Sequence, residues 1–118
     1  MNAPVNPTEM IAALNDGFRS SPLADESLGG VVMTSGIWEL SLDVRREIYL
    51  AVVTFDDFTE DNDPYGEHDF GAFDHPKAGK IFWKIDCFSD GSCQWGSEHP
   101  EDPERSYRVL TIMLASEY

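Results

Sequence analysis

The stretch from Asp56 to Phe73, DDFTEDNDPYGEHDFGAF, limits what this chain can fold into more than any other. Asn62-Asp63-Pro64 followed by Gly66 is turn chemistry: proline withdraws a backbone amide, and glycine supplies conformations that helices and strands do not use. Seven acids stand between its first residue and Asp69: Asp56, Asp57, Glu60, Asp61, Asp63, Glu67 and Asp69. No Lys or Arg occurs between Arg46 and Lys77. Four rings, Phe58, Tyr65, Phe70 and Phe73, are interleaved with the acids. A merely solvated loop has no use for regularly spaced aromatics. The segment therefore reads as an ordered acidic loop, with the regular elements arranged before and after it.

Ahead of the loop, residues 1–7 are polar with two prolines and read as a frayed tail. Thr8 caps an expected helix over residues 9–19, whose apolar stripe is Ile11, Leu14 and Phe18, weakened by Gly17. Val31-Val32-Met33-Thr34 is a short β-branched strand. Ser41 caps a second helix over 42–55, with Val44, Ile48, Val52 and Phe55 on one face and Arg45 and Arg46 opposite. That helix ends on Asp56 and Asp57, where the negative end of its dipole makes two acids unfavourable by up to about 1 kcal/mol. A bound cation, a partner, or capping by the loop itself should compensate.

After the loop, Phe70 and Phe73 bracket a short strand, residues 74–79 turn, and 80–88 form the strongest strand, with Ile81, Trp83, Ile85 and Cys87 on one face. Ser89-Asp90-Gly91-Ser92 is a hairpin turn leading to a return strand through Cys93 and Trp95, which sets the two cysteines across from each other as small packing residues. Asp102 and Pro103 open a third expected helix that runs to the C-terminus on Tyr107, Leu110 and Leu114. The fold class is α+β: two layers, three helices on a small antiparallel sheet with a meander, in the order α-β-α-loop-β-β-β-α.

One hundred and eighteen residues make a single domain, 1–118, and 12% aromatics exclude a disordered acidic chain. Eight basic residues against 22 acids, net −14, disfavour direct binding to nucleic acid, which requires basic residues to displace counterions. The same charge suits a basic protein surface, including the nucleic-acid site of a DNA-handling complex occupied by a phosphate mimic, or a divalent cation. Two cysteines make no disulfide framework, and neither a signal peptide nor a membrane span is visible, so the expected setting is cytoplasmic with no membrane partner.

Candidate chemistry concentrates in the loop. Asp61, Asp63 and Gly66 imitate the start of a calcium loop, but Tyr65 stands at its fifth position and Ala72 where the closing glutamate belongs. A looser Ca²⁺ or Mg²⁺ cage of Asp57, Asp61, Asp63, Glu67 and His68, with or without hydrolysis, is the alternative reading. His68 lies between Glu67 and Asp69, which fits a general base or a loop anchor, and His75 does not complete a zinc pattern. No nucleophile or phosphate-loop motif occurs, so no catalytic residue or cofactor is assigned. The leading assignment is a partner-binding surface of Asp56, Asp57, Glu60, Asp61, Asp63, Tyr65, Glu67 and Asp69.

The acidic signature, together with Asn15-Asp16-Gly17-Phe18-Arg19, FWKID at Phe82–Asp86 and RVLTIMLASEY at Arg108–Tyr118, resembles the bacterial domain of unknown function family 3768. The resemblance spans about Asn15 to Tyr118. It implies a small cytosolic protein of proteobacterial plasmids and mobile regions and brings no biochemical role with it. By analogy, such a setting favours a decoy that inhibits a host CRISPR or restriction complex.

Overall fold

The protein is described from a computed structural model covering residues 6–118. Residues 1–5 of the expected tail lie outside the described residues. The rest of that tail is already structured: helix α1 spans Pro7–Ser20, with Asn6 as its cap, accepting from the Glu9 amide at 2.8 Å, and Pro7 in the first turn. Asn6, not Thr8, starts the helix, because proline is favoured just inside a cap.

Strand β1 (Gly29–Met33) leads through the one-turn helix α2 (Ser35–Trp38) to α3 (Leu42–Val53), capped by Ser41 as its sequence requires. The acidic loop follows, then β2 (Phe70–His75) and β3 (Gly79–Phe88). A 3-10 turn at Pro103–Arg105 precedes β4 (Tyr107–Leu114), and a second, Ala115–Glu117, closes the chain. The class is α+β: three helices and a four-stranded sheet in the order β1-β4-β3-β2.

Three expectations are corrected. The C-terminal segment is a strand and not a helix. Pro103 starts only a single turn, and Tyr107–Leu114 occupies the position between β3 and β1, hydrogen-bonded on both sides. A run such as VLTIML satisfies helical and extended spacing alike. Its β-branched Val109, Thr111 and Ile112, and a central place that hides both faces, decide for the strand. The sheet is mixed and not antiparallel, since β1 pairs with β4 in parallel, Val31 opposite Leu110. The return strand after the hairpin turn is absent. Phe88 and Gly96 make one isolated bridge, Cys93 is exposed with a left-handed backbone, and Cys87 is half-buried, so the cysteines do not pair across a ladder.

The core lies between the sheet and the helices. Val44, Ile48 and Val52, one stripe of α3, meet Ile81, Trp83 and Ile85 of β3 and Leu110 and Ile112 of β4, with Ile37 of α2 beside them. Gly71 sits opposite Trp83 in the β2–β3 register, and a Cβ there would collide with the indole, so the tryptophan requires glycine at this place. The alternate side of the sheet carries a second aromatic group, Phe70, Phe82 and Tyr118, with ring centroids 5.3–5.8 Å apart. Glu117 ties the C-terminal turn to α2 by accepting from Thr34 Oγ1 and the Gly36 and Leu114 amides, and these bonds hold its carboxyl below the usual range.

Candidate partner-binding loop

The loop begins where α3 ends, and the end of α3 is answered by a cation from another helix. Arg19 of α1, 3% exposed, donates Nη1 to the carbonyls of Val52 (2.9 Å) and Phe55 (2.8 Å) and Nη2 to Asp16 (2.9 Å). Its guanidinium lies 4.8 Å from the Trp83 ring centre and 5.4 Å from that of Phe58. A planar, delocalised cation serves here because it can stack and donate at once. The compensation that Asp56 and Asp57 demand is therefore built in, by Arg19, the single Lys or Arg among the first 44 residues.

From this point the loop divides. Asp56, Asp57, Glu60 and Asp61 are exposed, and none forms an ion pair among the described residues. Asn62 folds this half onto itself: its Oδ1 accepts from the Thr59 amide and its Nδ2 donates to the Asp57 carbonyl, both at 2.8 Å. Such side-chain-to-backbone closure is the usual work of asparagine in turns. Tyr65 is 81% exposed, in contrast to Phe58 and Phe73, which pack against the core, and to Phe70, which packs with Phe82 and Tyr118 on the other side of the sheet.

The second half turns in. The Asp63 side chain is only 7% exposed and accepts from the His68 amide. His68 has a left-handed backbone, φ 56°, uncommon for a residue with a Cβ, and its ring stacks on Phe58 at 3.9 Å with the planes 2° apart. Its Nδ1 lies 2.8 Å and 3.0 Å from the two Asp16 oxygens, both acceptors, so Nδ1 carries a proton toward Asp16. Nε2 faces Asp63 at 3.6 Å. Glu67 and Asp69 are partly covered. Burial first, then the neighbouring carboxylates, Asp63 among them, push both carboxyls up, with a backbone hydrogen bond partly offsetting the rise for Asp69.

This geometry bears on each candidate chemistry. Among the described residues no group of three or more His, Cys, Asp or Glu side chains is placed to hold a metal ion, and Asp57 and Asp61 point out while Asp63 and His68 point in. Around His68 the two carboxylates take opposite nitrogens of one ring, an arrangement that secures an imidazole and does not ring a cation. The shallow cleft beside it contains Ser20 and Thr54, but both hydroxyls donate to carbonyls of their own helices, Gly17 and Leu50. His68 anchors the loop. His75 also anchors: its Nδ1 accepts from the Lys77 and Ala78 amides, and its Nε2 donates to Glu47 at 3.0 Å.

Residues 33–117 match the family model described as protein of unknown function, DUF3768. The chain belongs to this family. The match takes in the whole acidic loop and the sheet from Met33 onward, whereas Asp16 and Arg19, which hold the DUF3768 loop in place, lie ahead of it. No curated protein and no solved structure matches the chain. No helix among the described residues is long and apolar enough to cross a membrane.

Sequence reasoning missed Asp16, Arg19 and Phe58 as supports of the DUF3768 site. Asp16 and His68 are 52 positions apart, and nothing local links them. The one available signal was the isolation of Arg19 in an acidic N-terminal third.

Proposed function

We propose that this protein is an acidic interaction module that binds a basic protein surface through Asp56, Asp57, Glu60 and Asp61, with Tyr65 as an exposed aromatic contact. One observation carries the reading: four carboxylates with no ion pair among the described residues stand on a loop that Phe58, Asp63 and His68 fasten to the core. A loop that served only solubility would need charge but no such fastening. Preorganisation lowers the ordering cost of association, and unpaired like charges speed encounter with an oppositely charged partner. Asp63, Glu67 and Asp69 support the display from beneath. In its finer form, the carboxylates stand in for phosphates and occupy the nucleic-acid cleft of a DNA-handling complex of a host CRISPR or restriction system.

The test is titration with a basic-cleft DNA-binding complex at rising salt. Affinity should fall steeply with ionic strength, and duplex DNA should compete. The combined variant Asp56→Asn, Asp57→Asn, Glu60→Gln, Asp61→Asn should weaken binding roughly tenfold or more while leaving the melting temperature unchanged. Binding indifferent to both salt and the four substitutions would overturn the proposal. Binding that is lost with them but does not yield to DNA would keep the basic surface and remove the mimicry.

A further inference from the structure

Away from the acidic loop, α1, the segment leading to β1 and the start of β4 enclose a cavity of about 300 Å³, the lower end of the range for small-molecule sites, about 300–1,000 Å³. Leu14 and Phe18 of α1, Pro22, Leu28 and Pro103 make its wall largely apolar. Asp25 stands in the exposed part, with its carboxylate engaged by the Ser27 amide and hydroxyl.

One cation belongs to this wall. Arg108 is 4% exposed, and it has no carboxylate partner among the described residues. Its Nε donates to Asn15 Oδ1 at 2.7 Å and its Nη2 to the Pro100 carbonyl, both neutral acceptors. Nη1 makes no hydrogen bond among the described residues. Unlike the Nε atoms of Arg19 and Arg45, it is not sealed from solvent. Burial pulls this guanidinium below its ordinary value, with a partial offset from Cys87, its neighbour across the β3–β4 register. The contrast with Arg19, equally buried but paired with Asp16, is direct. In a chain with 22 acids and 8 bases, an interior arginine without an acid is the exception.

Gly17 is a second, independent sign. It is exposed inside α1 and lines both this cavity and the cleft beside His68, a Cβ there would meet nothing within 4 Å, and its backbone is not left-handed. Neither packing nor conformation calls for glycine, although glycine in a helix interior costs about 1 kcal/mol relative to alanine. What it does is leave the wall of α1 open.

We propose that this cavity binds a monocarboxylate with an apolar tail, its carboxylate pairing with Arg108 and its tail lying along Leu14, Phe18 and Leu28. A single negative charge completes the arginine, and the acidic exterior works against polyanions such as nucleotides. This site stands apart from the partner-binding loop and does not depend on that reading.

Octanoate, octanol and octylamine, followed by thermal shift and by NMR of the full-length protein, test it. Octanoate should raise the melting temperature saturably and shift resonances of Phe18, Leu14 and Leu28. Octanol should bind about tenfold or more weakly, having lost a charge-assisted hydrogen bond, and octylamine should not bind. Arg108→Met should abolish the preference for the acid over the alcohol. Because Arg108 also ties α1 to β4, Gly17→Leu provides the second arm: it should stabilise the free protein yet remove the octanoate response. Equal binding of acid and alcohol, an octanoate response that survives Gly17→Leu, or no saturable response at all would each overturn the proposal.

Discussion

The two halves of the acidic loop have nearly the same acid content, four against three, and opposite employment. Over residues 56–62 the carboxylates point to solvent, Asn62 closes the backbone on itself, and Phe58 alone reaches the core, under the His68 ring. Over 63–69 the acids turn inward, where Asp63 holds the His68 amide and His68 reaches Asp16 across 52 positions of sequence. Charge density therefore says little about what an acid does. Its distance from a buried ring or a free amide says much more. The inward half is what converts the outward half from a solvated run into a fixed display.

Removing what supports the inward half should have the largest effect. Arg19→Met deletes two donors to the end of α3 and a cation stacked on Trp83 and Phe58. A loss of about 2–4 kcal/mol is expected in urea unfolding followed by circular dichroism. A loss under about 1 kcal/mol would mean that the loop stands without α1. Next comes a pairwise contrast. Asp63→Ala should destabilise by about 1–2 kcal/mol, through the His68 amide left without its acceptor. Asp61→Ala should stay within about 0.5 kcal/mol of the parent. Hydrogen exchange should show faster opening around His68 in the first variant only, and equal effects would erase the distinction between the halves.

The smallest expected effect concerns Asp69, whose carboxyl is raised by burial and by its acidic neighbours. Because the folded state holds that proton more tightly than the unfolded chain, stability is fullest below the unfolded value of 3.8 and declines as pH rises through the folded value. Asp69→Asn should therefore raise the melting temperature at pH 7. The rise should be about 1–3 °C, the size of a few tenths of a kcal/mol after solvent screening, and should shrink on approach to pH 4. A gain that is constant across this range would assign it to hydrogen bonding instead of charge.

Much of the framework is legible in the order of residues alone. The stripe of Val44, Ile48 and Val52, the cap at Ser41 and the alternation through Ile81, Trp83 and Ile85 all lie within one element each, so local periodicity reports them directly. Residues 107–114 are not legible in this way, because an apolar run fits either period. Their strand state comes from neighbours on both sides, β3 through the Trp83–Ile112 pairing and β1 through a parallel pairing that no turn announces. The exposed Trp95 and Cys93 depart from expectation in the opposite sense. A good turn at Asp90-Gly91 forms, with the Ser92 amide donating to Asp90, but the returning segment meets β3 only at the Phe88–Gly96 bridge and leaves Trp95 in solvent.

The same division runs through the acidic loop. Sequence alone determined that residues 56–69 are acidic, free of basic residues, broken by Pro64 and Gly66, and unable to form a helix or strand, since these follow from composition and backbone chemistry. Only the tertiary structure decided which acids face out, that Arg19 answers the end of α3, and that Arg108 is buried with no acid partner among the described residues. Those outcomes depend on contacts between residues far apart in the chain, and the energy of burying a charge is set by what folding brings beside it.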